Sequence, residues 1–201
     1  DRIPCTPILQ STQLNKLFTC ELFFKADNMR KVGAFKARGA CNALFSMTQE
    51  ALANGVITHS SGNHGAALAW AAAMRKASCT VVMPENAPQA KKDAVLSYGA
   101  TVVYCEPTMT AREGTVTRLI EQQGARLVHP YDDDLIIAGQ GTATLETLAQ
   151  LDKPADVLMT PVGGGGLLGG SAIVVKQSPQ AGITRVIGAE PEAANDAWLG
   201  F

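Results

Sequence analysis

The sequence lacks any apolar stretch long enough to cross a bilayer. Its longest uninterrupted run, residues 66–74, falls far short of the roughly 20 residues a membrane helix needs. Aromatic residues supply only 5% of the chain, and three dispersed histidines (His59, His64 and His129) offer no metal cluster. The five cysteines, Cys5, Cys20, Cys41, Cys79 and Cys105, are odd in number and never spaced C-x-x-C. That argues against a disulfide framework and a zinc site, and reads as buried or half-buried thiols in a reducing compartment. Neither sign of charge dominates: 17 basic against 18 acidic residues give a net charge of -1. Without a basic block there is no footprint for nucleic acid. The opening Asp-Arg-Ile-Pro-Cys-Thr-Pro lacks the basic and apolar blocks of a signal peptide. The expectation is a cytoplasmic protein with neither membrane nor nucleic acid as partner.

What is present is a folded composition, 201 residues with 46% apolar and 17% charged, enough for one or two domains. Short apolar runs alternate with alanine-rich ones. Strands are expected at residues 21–25, 56–60, 79–84, 101–106, 125–129, 156–162 and 184–190. Helices are expected at 33–47, 63–76, 88–98, 110–123, 138–151 and 167–177, with Pro88 in a first turn and Gly99 and Gly124 after helix ends. Strands alternating with helices predict an α/β fold, an open parallel sheet with helices on both faces. Asp132-Asp133-Asp134 reads as a solvated turn between two lobes. In such sheets ligands sit beyond the carboxyl ends of strands, which directs attention to the segments after Ser60, Val162 and Glu190.

Three segments can carry chemistry. Ser60-Ser61-Gly62-Asn63-His64-Gly65 joins a strand to a helix, where capping oxygens and exposed N–H groups favour an anion. Gly163-Gly164-Gly165-Gly166-Leu167 does the same with four consecutive glycines. Ordering such a run is entropically unfavourable unless main-chain N–H groups must wrap a small anion such as a phosphate. No Gly-Lys-Ser/Thr follows, so it is not a nucleotide P-loop, and no suitably spaced acid follows to make it a dinucleotide fingerprint. Lys36 lies in the first turns of a small-residue, apolar helix. Composition alone gives such a lysine a surface role, but if buried there it would lose its proton more easily and offer the neutral amine a Schiff base needs.

Taken in this order, Gly33-Ala34-Phe35-Lys36-Ala37-Arg38-Gly39-Ala40, Ser60 to Gly65, Ala138-Gly139-Gln140-Gly141-Thr142 and Pro161-Val162-Gly163-Gly164-Gly165-Gly166 resemble the fold-type II pyridoxal-phosphate enzymes, in particular the serine/threonine dehydratases and serine racemases. Thr6-Pro7 and Ala189-Glu190-Pro191 fit as well. The resemblance runs through almost the whole chain. It implies a two-lobed, tryptophan synthase β-like architecture: residues 1–55 and 133–201 form a large cofactor domain, incomplete at its C-terminal end, and 56–132 a small domain.

By the same resemblance, pyridoxal 5′-phosphate would be linked to Lys36. Phe35 would lie near its ring, Asn63 would bond its 3′ oxygen, and the N–H groups of Gly163, Gly164, Gly165, Gly166 and Leu167 would hold its phosphate. Ser60, Ser61, Gly62, Asn63 and His64 would receive the substrate, with Ser61 facing it from the side opposite Lys36. Glu190, the carbonyl of Ala194 and Asp196 would bind Mg²⁺ or Ca²⁺, whose preference is for oxygen donors. A homodimer is implied too. Ala34 departs from the family's usual serine, a change that preserves small volume. Family members also continue well beyond the equivalent of Phe201, into a part that supplies a hydroxyl to the pyridine nitrogen.

The activity implied is elimination from a small hydroxy-amino acid, L-serine or L-threonine, giving a 2-oxo acid and ammonia, with racemisation of serine as a variant that uses Ser61. The alternatives are a β-replacing enzyme of the cysteine synthase type, which tends to carry Thr-Ser-Gly-Asn-Thr-Gly where this chain has His64, and a non-catalytic amino-acid or cofactor binder of the same fold.

Overall fold

The computed structural model describes residues 3–200. Its first elements are short. Strand β1 (Ile8–Leu9) pairs antiparallel with β2 (Phe24–Lys25), Ile8 opposite Lys25, and helix α1 (Thr12–Phe18) lies between them. The Ser11 hydroxyl accepts the Leu14 N–H at 3.3 Å and starts α1. The strand expected at 21–25 is thus reduced to its last two residues, and α1 was not expected from the sequence.

Helix α2 (Lys36–Ser46) begins three residues later than its composition suggests. Val32 and Gly33 both hold left-handed backbone, with φ of 61° and 67°, so the chain turns sharply before Lys36. A β-branched residue in that region is strained, and here the strain sits directly upstream of the candidate lysine.

The chain then alternates as predicted: β3 (Val56–His59), α3 (Asn63–Arg75), β4 (Cys79–Pro84), α4 (Gln89–Ser97), β5 (Thr101–Cys105), α5 (Met109–Gln123) and β6 (Arg126–Leu127). These strands form one parallel sheet in the order β5-β4-β3-β6. Side-chain alternation sends Val56, Val81 and Met83 into a core with the alanines of α3, and Ile57 and Val82 into a second core with Val116 and Leu119 of α5. Both faces of the sheet are therefore covered, which explains why β3 is buried throughout. Pro88 is the cap of α4 and not a residue of its first turn. Cys41, Cys79 and Cys105 are buried as expected, whereas Cys5 and Cys20 are exposed.

Helix α6 (Asp134–Gln150) starts four residues before the expected point. The Asp133 carboxylate accepts the N–H groups of Leu135 at 2.8 Å and Ile136 at 3.1 Å. The acidic run is a capping signal. Strand β7 (Val157–Pro161), helix α7 (Gly166–Gln177) and β8 (Arg185–Ala189) follow, with β7 and β8 paired in parallel, and a last short helix α8 (Asp196–Leu199). Among the described residues, no helix is long and apolar enough to cross a membrane.

Helix α6 is the element against which the others are set. A Cβ on Gly139 would lie 2.6 Å from Cα of Gly39 in α2, and one on Gly141 would lie 2.8 Å from the Gly170 carbonyl oxygen in α7. The Gly139-Gln140-Gly141 motif therefore lets α6 touch two helices backbone to backbone. Gly139→Ala is expected to lower stability by about 1–3 kcal/mol through overpacking. Urea unfolding checks this: the midpoint should fall with an unchanged slope, and a wild-type midpoint would contradict the close crossing. The first core also joins Ala40 and Leu44 of α2 to Leu68 of α3 and Val81 of β4, so α2 is packed against the four-stranded sheet's helical layer as well.

Candidate active site

Lys36 opens α2, and its amine donates to the Pro130 carbonyl at 2.7 Å. Burial lowers its pKa from 10.5 to about 8. The Phe35 ring, one residue before the helix, has its centroid 5.3 Å from the amine. Phe35 and Lys36 share a cavity of about 230 Å³ with Tyr131, Pro161, Val162 and the whole of Gly163 to Leu167. The two segments singled out for a reactive amine and for an anion thus face one space.

The glycine turn has the form of a cradle. Gly165 caps α7 with φ of 84°, a backbone that suits glycine. A Cβ on Gly164 would overlap the Tyr131 ring. The first backbone bond at the start of α7 runs from Gly169 N–H to the Gly165 carbonyl at 2.8 Å. The N–H groups ahead of it, at a helix start, are available to an anion.

Ser60 to His64 occupy the junction of β3 and α3. The Ser60 hydroxyl accepts the Gly62 N–H at 3.2 Å and shapes the turn. Among the described residues, no hydrogen bond ties the Ser61 hydroxyl. His64 is buried, its Nε2 is 3.3 Å from the Val128 carbonyl oxygen, and its Nδ1 has no partner. Burial first, and then the Lys36 charge, push its pKa down to about 3, so it is a neutral ring with an Nε2–H donor. None of these residues lines the Lys36 cavity; the charge acting from Lys36 on His64 is what relates the two segments. Asn63 Oδ1 accepts from Lys91 at 2.6 Å.

An ionic network fixes α2 immediately beyond the lysine. Arg38 donates to Asp27 (2.7 and 2.9 Å), to Glu146 (2.8 Å twice) and to Thr142 (3.0 Å). Arg30 joins Glu146 at 3.0 and 3.1 Å, and the Thr6 hydroxyl donates to Asp27 at 2.7 Å. Thr6, Arg30 and Arg38 are all buried. Burial would raise the Glu146 carboxyl, but bonds from Arg38 and Lys25 hold it well below the usual carboxylate range.

The Glu190 segment stands elsewhere. Glu190 lines a second, larger cavity of about 790 Å³ with Glu192, Asn195 and Trp198 among others, adjoining the first at Val162, while Ala194 and Asp196 do not line it. One Glu190 oxygen accepts the Trp198 N–H at 3.1 Å, so the short turn at 192–194 and α8 fold back over this carboxylate. Among the described residues, no group of three or more His, Cys, Asp or Glu side chains converges as a metal site.

A family model described as pyridoxal-phosphate dependent enzyme matches residues 1–199. The chain belongs to the pyridoxal-phosphate dependent enzymes. Within this family its relatives are those of the fold-type II dehydratase and racemase group. Serine racemase of Dictyostelium discoideum is 49% identical over 96% of this chain and 59% of that protein, and its crystal structure superposes with a TM-score of 0.92 over 99% of this chain and 64% of that one. The beta-hydroxyaspartate dehydratase of Paracoccus denitrificans is 47% identical over 98% of this chain and 61% of that protein. A threonine deaminase from T.th. has a TM-score of 0.89 at 43% identity, over 98% of this chain and 62% of that one. This chain therefore spans about three-fifths of the length of these relatives and shares their α/β fold.

The residues fit the pyridoxal-phosphate dependent enzymes' cofactor. A buried amine of lowered pKa faces a glycine turn whose N–H groups suit a phosphate, with room between them for a small ring. Sequence reasoning did not single out Tyr131, Pro130 or Lys91 near this site, nor Asp27, Arg30 and Glu146 in the network. Thr6 and Arg38 stood in matched motifs without a role. A buried arginine that needs two carboxylates leaves a trace only as scattered charges at 27, 38 and 146, far apart in the chain.

Proposed function

We propose that this chain is the lysine-bearing part of a dehydratase (ammonia-lyase) that converts L-serine, L-threonine or a similar 3-hydroxy-amino acid to a 2-oxo acid and ammonia, with serine racemase activity alongside. The reading is carried by one observation: the Lys36 amine and the glycine cradle line the same cavity. The names of its relatives, serine racemase and beta-hydroxyaspartate dehydratase, point to the same substrate class.

When bound, pyridoxal phosphate supplies an electron sink conjugated to the substrate's amino group. The protein's part is positioning and proton transfer. Gly163 to Leu167 would hold the phosphate with main-chain N–H groups, Lys36 would hold the aldehyde carbon, Phe35 would lie near the ring and Asn63 would bond its 3′ oxygen. With a pKa of about 8, the Lys36 amine is close enough to neutrality to take a proton from the substrate's α-carbon near physiological pH. The Ser60 to His64 turn offers N–H groups to the substrate carboxylate. His64, neutral, adds no charge to the site and serves no acid–base role at neutral pH. Ser61 would deliver or accept a proton on the face opposite Lys36.

A two-lobe division (residues 1–55 with 133–201, and 56–132) belongs to this reading, supported by the four-stranded sheet lying wholly between positions 56 and 127. So does a divalent cation. Glu190, the Ala194 carbonyl and Asp196 would offer three oxygen donors to Mg²⁺ or Ca²⁺, with water completing the shell. A cytoplasmic homodimer completes the proposal. The unbridged thiols of Cys5, Cys20, Cys79 and Cys105 suit a reducing compartment, and the exposed Leu17 and Phe18 offer apolar surface for association.

The test is to add pyridoxal phosphate, follow the visible absorption band, reduce with borohydride and map the adduct. Label on Lys36 together with 2-oxo acid release from L-serine or L-threonine is the expected result; a folded protein that gives neither refutes the reading. Ser61→Ala separates the two activities. Racemisation should fall by about 10²-fold or more, the usual worth of a positioned acid or base, while elimination from L-serine falls far less. Equal losses would remove Ser61 from the second face.

A further inference from the structure

Lys91 has a partner that its charge alone does not explain. It stands in the first turn of α4, and its Nζ lies 2.6 Å from Oδ1 of Asn63, the first residue of α3. Among the described residues, no carboxylate forms an ion pair with it. The neighbouring Lys92 turns elsewhere, donating to the Glu85 carbonyl at 2.6 Å. Lys91 thus directs a full charge at a neutral amide at the mouth of the β3–α3 turn.

The chemistry of the pair fixes its orientation. An ammonium has three donors and no acceptor. The Asn63 amide must therefore turn its oxygen to Lys91 and its NH₂ away. The usual ambiguity between amide oxygen and nitrogen does not arise here. A charge-assisted bond to the oxygen also withdraws electron density from the amide and strengthens its N–H groups as donors.

We propose that Lys91 is a positioning residue for the cofactor: it holds Asn63 so that the amide NH₂, and not the oxygen, meets the anionic ring oxygen of pyridoxal phosphate. The inference rests on the proposed cofactor reading and deepens it. Without Lys91 the amide is free to rotate by half a turn, and the flipped form sets oxygen against oxygen. Lys91 acts through Asn63 and touches no reacting atom.

The experiment compares cofactor binding in wild type, Lys91→Met, Lys91→Arg, Asn63→Ala and the Asn63→Ala/Lys91→Met double variant, by titrating pyridoxal phosphate and recording its visible band. Lys91→Met should bind about ten-fold more weakly, equivalent to about 1.4 kcal/mol. Its band maximum should shift, because the hydrogen bond to the ring oxygen changes, while the melting temperature of the cofactor-free protein stays within about a degree of wild type, as for a surface substitution. Lys91→Arg, which is also a pure donor, should restore most of the affinity and the band. The double variant should bind no more weakly than Asn63→Ala alone, the signature of one residue acting through another. If Lys91→Met melts early, Lys91→Gln carries the same comparison, since glutamine offers both donor and acceptor and cannot fix the amide. Wild-type binding and band position in the Lys91 variants, or losses that add to that of Asn63→Ala, overturn the proposal while leaving the cofactor reading intact. A wild-type protein that binds no cofactor overturns both.

Discussion

Alanine at position 36 is expected to abolish borohydride-stable attachment of pyridoxal phosphate and to lower turnover at least about 10³-fold, since on the proposed reading one substitution removes both the covalent anchor and the proton acceptor. The cradle at Gly163 to Leu167 remains, so residual non-covalent binding should persist. Mass spectrometry after reduction, with a rate measurement on L-serine, checks both. A reduced adduct retained elsewhere with near-normal turnover would show that Lys36 is not the anchor. The cofactor-free protein carries a second signature of this amine. Its pKa is about 8 when folded against 10.5 when exposed, so the unfolded state binds the proton more tightly. Lys36 therefore makes a destabilising contribution at neutral pH that is relieved as pH rises from about 8 toward 10.5. Lys36→Met should flatten the stability profile over that window, as read by denaturant midpoints at several pH values.

Arg38→Met should be the most damaging change to stability away from the site. Arg38 bonds Asp27 and Glu146 together, and burial alone would lower its pKa, but the two carboxylates more than offset this and raise it. Removing it leaves two partly buried carboxylates facing one another, with Arg30 and Lys25 to compensate in part. Breaking one partner out of a buried ionic group costs about 3–5 kcal/mol; with the carboxylates partly open to water, the lower end applies. A drop in melting temperature of roughly 6–12 °C follows for a domain of this size. A shift under two degrees would mean that the network contributes little. The same network sets an acid limit. Glu146 and Asp27 have folded pKa values below their unfolded ones, so their contribution is present above the unfolded carboxylate range. It is lost as pH falls through the folded values.

Much of this was legible in the sequence, for a physical reason. Strand–helix alternation, the glycine run and a lysine among small residues are local patterns, and β3, α3, β4, β5 and α7 lie close to where those patterns put them. The boundaries that moved were set by single side chains or backbone angles: Asp133 capping α6, and Val32 in a left-handed conformation delaying α2. What stayed hidden was relational. Tyr131 lies against Gly164, Lys91 on Asn63, and Arg38 between residues more than a hundred positions apart. No spacing rule along the chain encodes such pairs, because they arise only when separate elements are brought face to face. The bond from the Trp198 N–H to a Glu190 oxygen is of the same kind, a contact that the spacing of that segment did not signal.

The close crossings at Gly139 and Gly141 give the cofactor seat the character of a caliper. One jaw is α2, which carries the amine, the other is α7, which carries the cradle, and α6 is the bar between them. The bar meets each jaw backbone to backbone at these two glycines, with the Arg38 and Asn42 side chains of α2 and the Thr144–Ser171 pair tying the helices alongside, and packed helices yield little. The opening of the jaws is therefore insulated from drift in the surrounding loops. Loops remote from this crossing can change while the spacing of α2 and α7 stays calibrated. A single added methyl group on the bar would reset the whole instrument.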